Sequence, residues 1–324
     1  MTRPLVSVVT ISYNHARFLE QAVRSALAQT IADQCEILVF DDASTDGTGR
    51  IALELQSERP DIVRVVARER NVGMMENFVD AWNSARGEFV ALLEGDDWWS
   101  DPTKLERQVE LLRSDASLGG VAHDVELHFE DGADRSVEAH LHPRDRSQWS
   151  LDSLLRLNPF ATCSMMYRSA TVGRLPDWFK TLPIGDWPLL LLHAKHGPIA
   201  RIPRSMGFYR IYPSSAWSGQ GVLRRLGGSI AMLERMRHEM PPELVPYIDT
   251  TIRGLSLHMA TRVRRMPEPP PASCLVAERI ARAASSEASE LRELVRRARI
   301  PLLHRWLRFR DRFLLRRALD PRDP

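Results

Sequence analysis

Phe89-Val90-Ala91-Leu92-Leu93-Glu94-Gly95-Asp96-Asp97-Trp98-Trp99 is the stretch from which the rest of the chain can be read. Five apolar residues, enough for a buried strand, end in three carboxylates within four positions and then two indoles. Like charges crowded at a strand end cost stability unless a cation or a cationic ligand offsets them. The plain alternative is a solvated acidic turn. Because the apolar run fixes where the carboxylates point, and Pro102 closes the loop, the stretch favours a bound metal or ligand.

On its N-terminal side the same pattern repeats. Leu5 to Ile11 is β-branched and apolar, a buried first strand broken by Ser12-Tyr13-Asn14-His15. Phe18, Leu19, Ala22, Val23, Ala26 and Leu27 then share a helical face. Glu36 to Phe40 is a second strand, ending at Asp41-Asp42-Ala43-Ser44-Thr45-Asp46, and a helix bearing Ile51, Ala52 and Leu55 follows. Residues 62–66 form a third strand, 74–85 a third helix and 88–93 a fourth strand. Strands alternating with amphipathic helices predict a doubly wound α/β layer with right-handed crossovers. Ligands in such sheets bind beyond the carboxyl ends of the strands, where Ser12–Asn14, Asp41–Asp42 and Glu94–Asp97 all fall. No GxGxxG follows the first strand and no GxxxxGK[ST] occurs, so neither a dinucleotide dehydrogenase nor a P-loop enzyme is supported. Carboxylates in this place suit Mg²⁺ or Mn²⁺ shared with a phosphate ligand.

Residues 6–14, the turn at 41–46, Asn71-Val72-Gly73 and Glu94-Gly95-Asp96-Asp97 resemble, in order and spacing, the family 2 glycosyltransferases of the glycosyltransferase-A fold. The similarity covers residues 4–115 and thins out to about 220. It implies an α/β fold, a nucleotide-sugar-binding doubly wound mixed sheet flanked by helices, here with a helical C-terminal appendage. It also implies sugar transfer from a nucleotide-sugar donor with inversion at the anomeric carbon. By position, Thr10, Ser12, Tyr13 and Asn14 would line the nucleotide pocket, together with Asn71 and Gly73. Asp42 would accept a hydrogen bond from the base, usually uracil, with Asp41 in support. Asp96 would ligate the metal, either Mn²⁺ or Mg²⁺, with Asp97 or Glu94, and Gly95 would complete the donor-side turn. Glu94 departs from the commoner Asp, and Ala43 from the usual Gly.

Further along, Trp98 and Trp99 read either as packing or as an aromatic platform for the sugar or acceptor. His123 and Asp124 end another apolar run; His123 reads as a satisfied structural residue or, with Asp124, as part of the acceptor side, and Asp124 is an alternative base. Residues 126–150 are polar, lack periodicity and predict a long loop. Cys163 reads as a buried small residue in a returning strand at 160–167. Asp186, between Gly185 and Trp187-Pro188, heads an apolar helix and is either a helix-capping acid or a fixed carboxylate. The resemblance implies the second, a general base that takes the acceptor hydroxyl's proton. Gly207 to Tyr212 resembles the segment that closes over the diphosphate, with Tyr212 where a His is usual. Arg210 is either a phosphate partner or half of a salt bridge.

The totals bound the rest. At 324 residues the chain suits one catalytic domain plus an appendage. Residues 1–220 carry 23 Lys and Arg against 30 acids, a balance of −7, whereas 221–324 carry 21 bases, all Arg, against 12 acids, a balance of +9. A nucleic-acid binder would hold its excess on the main domain, so no nucleic acid is expected. Cys35, Cys163 and Cys274 show no disulfide framework or metal spacing. Tyr13, Asn14, His15 and Arg17 interrupt any signal-peptide pattern, and no apolar run approaches the ~18 residues of a membrane span. The expectation is a cytoplasmic protein, at most peripheral at the inner face of the membrane.

Residues 1–220 are expected to form the catalytic domain, with a nucleotide-binding half at 1–115 and an acceptor-side half at 116–220. Residues 221–324 are expected to be a helical, Arg-rich region with a Pro-rich break at 266–271. Leu302 to Arg317, basic and rich in Leu and aromatics, reads either as an interfacial membrane helix or as one packed on the acidic domain. The function that follows is metal-dependent, inverting, non-processive transfer of a sugar, from a UDP-sugar by preference, to an acceptor hydroxyl in cell-surface glycan or polysaccharide synthesis. The acceptor would be a glycan, a lipid-linked glycan or a small molecule. The alternatives are glycosylation of a peptide or natural product, or a non-catalytic nucleotide-sugar-binding protein. A nucleotidyltransferase would need a Gly-rich basic loop where Ser12-Tyr13-Asn14-His15 stands.

Overall fold

Four apolar runs form strands β1 (Val6–Ser12), β2 (Cys35–Asp41), β3 (Val63–Ala67) and β4 (Phe89–Leu92), linked by helices α1 (Leu19–Leu27), α2 (Thr48–Glu58) and α3 (Met74–Asn83). The computed structural model of the chain describes residues 3–130, 135–138 and 146–263. The four strands run parallel in the order β3-β2-β1-β4, with Ser12 opposite Asp41 and Val9 opposite Leu92. All of β2 is buried, as a central parallel strand covered on both faces must be. In α1, Leu19, Ala22, Val23 and Ala26 make the apolar stripe that packs inward.

The chain continues through β5 (Trp98–Trp99), α4 (Lys104–Ser114), β6 (Gly120–Phe129), β7 (Arg135–Glu138), β8 (Gln148–Trp149) and α5 (Leu151–Leu154). It then forms β9 (Met166–Arg168), α6 (Ser169–Val172), α7 (Asp186–Ala194) and β10 (Ile199–Ile211). The full order is β3-β2-β1-β4-β9-β6-β10-β5, with β7 on β6 and β8 on β10. Strand β9 is antiparallel to β4 and β6, and β5 is antiparallel to β10, so the sheet is mixed.

This order forces the sheet to curl. Strands β4 and β5 stand four spacings apart, roughly 19 Å if the sheet were flat. Only Leu93 to Asp97 join them, and Asp97 N–H closes a turn onto the Glu94 carbonyl at 3.1 Å. Five residues folded into a turn cannot cover that span, since even extended chain advances about 3.3–3.6 Å per residue. The edge strand therefore comes back towards β1 and β4, and the acidic turn is the bridge.

Residues 126–150 are not one long loop. Strand β6 runs on through Phe129, with Leu127 and Phe129 buried and Glu126 and His128 partly exposed. The alternation is that of a half-buried strand, masked in the sequence by its polar members. Strands β7 and β8 fall in the same stretch.

Chain contacts divide the protein into Met1–Leu154 with Pro159–Ile211, and Leu155–Asn158 with Tyr212–Pro324. In the second unit, α8 (Val222–Met236) and α9 (Val245–Val263) bury Leu226, Ile230, Leu233, Ile248, Leu255 and Met259. The Arg156 guanidinium there lies 4.8 Å from the Tyr247 ring centre. Cys274, the Pro-rich break at 266–271 and the basic stretch from Leu302 to Arg317 lie outside the described residues. Among the described residues no helix is long and apolar enough to cross a membrane.

Candidate active site

The bridge between β4 and β5 alternates like a strand. Gly95 and Asp97 are buried, whereas Glu94 and Asp96 are partly exposed. Hydrogen bonds from Leu93 N–H to the Val9 carbonyl (3.0 Å) and from Gly95 N–H to the Ile11 carbonyl (3.1 Å) hold the turn beside the end of β1. Gly95 has no room for a side chain, because a Cβ there would sit 2.8 Å from His15 Nδ1, 3.0 Å from Ser12 Cβ and 3.1 Å from the Ile11 carbonyl oxygen. His15 Nε2 in turn stands 3.9 Å from Asp96 Oδ2.

The electrostatics of the turn are unfavourable as it stands. Glu94 Oε2 is shut from water without a hydrogen-bond partner. Burial, then the charges of Asp97, Asp96 and Asp186, push the Glu94 carboxyl well above the usual range. Asp97 accepts the Arg210 backbone N–H on Oδ1 at 2.8 Å, and burial followed by the charge of Asp96 pushes it up as well. Asp186 thus acts on the turn although 89 or more residues separate them in sequence. It is the first residue of α7, one past the N-cap Gly185. A Cβ at Gly185 would press on the Met75 methyl at 2.9 Å, so a small residue brings the head of α7 down onto α3. Tyr209 completes the group. Burial, then Asp97, Asp96, Glu94 and Asp186, raise its hydroxyl well above its usual value, which keeps it a donor.

The ends of β1 and β2 are quiet by comparison. Asp41 accepts from the Ser12 hydroxyl at 3.2 Å and from the Ser44 N–H and hydroxyl at 3.2 and 2.5 Å. Asn14 Oδ1 accepts the Thr45 N–H at 2.9 Å, and Asn14 N–H donates to Ser44 Oγ at 2.8 Å. Asn14 (φ 57°) and Ala43 (φ 58°) both take the left-handed conformation that this interlock demands. Asp42 accepts the Val72 and Gly73 N–H groups on its two oxygens, at 2.8 and 2.9 Å, and its carbonyl accepts from Asn71 Nδ2 at 3.1 Å. Tyr13 is half exposed beside them.

Several expected residues lie elsewhere or serve otherwise. Thr10 is wholly buried in β1 and does not line an open pocket. Trp99 is core: its Nε1 donates to the Cys163 carbonyl at 2.8 Å, and the buried Lys104 Nζ lies 3.7 Å from its ring centre. Trp98 stacks on Phe208, centres 4.5 Å apart and planes 11° apart, with His128 edge-on at 5.1 Å, so its platform face is largely spoken for. His123 and Asp124 sit inside β6. His123 Nδ1 donates to the Asp124 carbonyl at 2.6 Å, and Asp124 forms a two-armed ion pair with buried Arg201 at 2.7 and 2.6 Å. An acid held that way does not serve as a base. Tyr209 and His15 were not singled out by the sequence. The alternation along Phe208-Tyr209-Arg210, with Phe208 and Arg210 both on Trp98, is the signal that points Tyr209 the other way.

Among the described residues no three His, Cys, Asp or Glu side chains converge as a ready-made metal site. Glu94 and Asp96 nevertheless fit a hard divalent cation. It would relieve their repulsion, give the orphaned Oε2 a partner and draw its remaining ligands from phosphate oxygens and water.

Residues 7–171 match the family model described as glycosyl transferase family 2. An uncharacterized protein of Mycobacterium tuberculosis is 37% identical over 221 residues, 68% of this chain and 62% of that protein. The chain thus spans less than two thirds of that relative's length. The putative teichuronic acid biosynthesis glycosyltransferase TuaG of Bacillus subtilis is 39% identical over 110 residues, 34% of this chain and 42% of that one. Among solved structures, Staphylococcus aureus TarS 1–349 in complex with UDP-GlcNAc aligns with a TM-score of 0.65 at 17% identity, covering 96% of this chain and 89% of that one. A mannosyltransferase of Pyrobaculum calidifontis in complex with GDP-Man and Mn²⁺ gives 0.62 at 18% identity, covering 98% and 87%. At such identities the structures speak for the fold alone, which is glycosyltransferase-A-like. The chain belongs to glycosyl transferase family 2.

Proposed function

We propose that the chain transfers a single sugar per encounter from a UDP-sugar to an acceptor hydroxyl, with inversion and with a divalent cation, in the synthesis of a cell-surface glycan. The observation that carries this reading is that Asp186 acts electrostatically on Glu94 and on Tyr209, the two groups that Asp96 and Asp97 also act on. A base and a cation-seeking pair at one site suit attack on an anomeric carbon whose leaving group is a diphosphate. Glu94 and Asp96 would hold Mn²⁺ or Mg²⁺, which neutralises charge on that leaving group. Asp97 supports the turn from beneath rather than facing the ion, because its Oδ1 holds the backbone of β10. Asp186 takes the acceptor hydroxyl's proton while the new C–O bond forms opposite the breaking bond to phosphate. The Tyr209 hydroxyl donates to an oxygen of the donor. Ser12, Asn14 and Asp41 shape the wall against which the nucleoside lies, and Asp42 fixes the 71–73 loop beside it.

Supporting the acceptor class, the relatives include TuaG, whose name places it in teichuronic acid biosynthesis. The choice of UDP follows the resemblance and the UDP-GlcNAc complex of TarS, and the GDP-Man complex of the Pyrobaculum enzyme marks its competitor. The test is transfer and donor hydrolysis across UDP-, GDP- and dTDP-sugars, with Mn²⁺ and with EDTA. Asp96→Ala is expected to abolish metal-dependent donor binding. Equal turnover in EDTA would remove the metal from the reading, and turnover of a GDP-sugar alone would remove UDP.

A further inference from the structure

Arg210 was expected either at a phosphate or in a salt bridge, and the structure pairs it with Glu130. The residue is 4% exposed. Its guanidinium carbon lies 4.4 Å from the Phe18 ring centre and 4.4 Å from that of Trp98. Nε donates to the Asp96 carbonyl at 2.7 Å, one terminal nitrogen donates to Gln21 Oε1 at 2.7 Å, and the other pairs with Glu130. The backbone N–H of the same residue donates to Asp97 Oδ1 at 2.8 Å. One side chain therefore ties the acidic turn to α1 through Phe18 and Gln21, to β5 through Trp98 and to the end of β6 through Glu130.

We propose that Arg210 is a positioning residue for the Glu94–Asp96 pair and does not touch the nucleotide's phosphates. Three of its five N–H groups are already engaged, and two ring centres lie 4.4 Å from a side chain that is almost wholly buried, so the guanidinium is set into the fold rather than open to a ligand. Its hydrogen bond goes to the main chain of Asp96, which sets where the turn runs while the neighbouring carboxylates keep the repulsion that a cation relieves. Partners that orient ligands in this way commonly matter to metal affinity by about 10–100-fold when removed. Lys cannot replace it, because an ammonium lacks the planar, multi-armed donation.

The inference takes its ligand from the metal reading above, and the test keeps the two apart. Full-length wild type, Arg210→Lys and Gln21→Ala are titrated with Mn²⁺ by electron paramagnetic resonance, and with UDP in EDTA by calorimetry. Hydrogen exchange of the 94–99 segment is followed without metal. The expected result is Mn²⁺ affinity lowered about tenfold in Arg210→Lys, a smaller loss in Gln21→Ala, faster exchange at Asp97 and Trp98, and unchanged metal-free UDP affinity. Loss of metal-free UDP affinity, with Mn²⁺ affinity and exchange unchanged, would overturn the proposal and make Arg210 a phosphate ligand. No change in any readout would overturn it too. If wild type binds no Mn²⁺, the metal reading falls by itself; faster exchange in Arg210→Lys then upholds the positioning role and equal exchange removes it. Should Arg210→Lys fail to fold, Gln21→Ala carries the same comparisons.

Discussion

Two sets of carboxylates in this protein have been treated in opposite ways. Around β2, each acid is supplied with donors from the fold. Asp41 and Asp42 collect hydroxyl and backbone N–H donors, and Glu36, at the other end of the strand, takes the Ser7 hydroxyl at 2.6 Å with Arg86 and Arg64. Burial alone would raise the Glu36 pKa, yet Arg86 and Ser7 hold it below the usual range. At the β4–β5 bridge the same residue types face one another, and burial with mutual repulsion drives Glu94 and Asp97 the other way. Donors within the fold make an acid structural. Acids gathered from distant elements, which burial and mutual repulsion push up, hold energy that a ligand can release.

The comparison predicts that replacing an acid of the second set costs activity and little stability, and that replacing one of the first set does the reverse. The largest effect is expected at Asp186. Asp186→Asn should lower transfer by roughly 10²–10⁴-fold, the usual worth of a general base. Donor affinity should stay near wild type, and the melting temperature should hold or rise as repulsion on Glu94 is relieved. Steady-state kinetics, donor titration and a thermal melt together check this. A melting temperature that falls with activity intact would place Asp186 in the first set.

Gly95→Ala probes the crowding itself. The new methyl would meet the Ile11 carbonyl and His15 ring inside ordinary contact distance, and overpacking of this kind costs about 1–3 kcal/mol. Denaturant unfolding should show that loss, and Mn²⁺ titration should weaken, because the turn that carries Glu94 and Asp96 has to shift.

Much of the first set was legible in sequence, since Asp41, Asp42 and their strand end lie within one short apolar-to-polar switch. The bridge was legible as an acid cluster for the same reason. Which of its acids face the site was not, because that depends on alternation through Gly95 and on Arg210 arriving from 113 residues away to hold Asp97. The strand end read at His123 and Asp124 misled, because a polar pair after an apolar run looks like one, although the structural reading of His123 agrees with its burial. Their strand continues, and Arg201 from β10 makes the buried Asp124 tolerable. Likewise Trp99 belongs to the core through Cys163, a contact no local pattern encodes.

A third kind of buried titratable group sharpens the contrast, one kept neutral without any ligand in view. Burial pushes His123 and His193 down to about 3, with Lys104 adding to the first and His196 to the second. The folded protein therefore keeps both rings neutral while the unfolded chain protonates them below its ordinary value of 6.5. Stability is lost as pH falls through that value towards 3, by about 1.4 kcal/mol per pH unit and histidine. Glu94 and Asp97 tilt the other way, since their raised values make the folded state the better proton acceptor. The informative quantity is thus the difference between wild type and His193→Phe, which keeps the stack on Tyr167, whose centre lies 4.1 Å from the His193 ring. Unfolding free energies at pH 6.5 and pH 5 should diverge by about 2 kcal/mol in favour of the variant. Parallel curves would mean that His193 titrates normally.

The smallest effect tests the boundary between the two sets. Asp42 was expected to read a nucleobase, and in the structure both of its oxygens are already bound to Val72 and Gly73 N–H. Each carboxylate oxygen has a second lone pair, so an imide N–H of uracil can still be accepted without breaking the loop. Asp42→Asn keeps one acceptor oxygen and turns an amide donor on a backbone N–H. A cost of about 1 kcal/mol in stability is expected whichever role is right. The roles separate in the kinetics. If Asp42 only holds the 71–73 loop, KM for UDP- and dTDP-sugars rises by the same small factor, since the displaced loop serves any base. If it also meets the imide, a donor whose base lacks that N–H loses nothing in the variant while the UDP-sugar does. A stability loss with no kinetic change would leave Asp42 wholly in the first set, an acid that shapes the site without entering it.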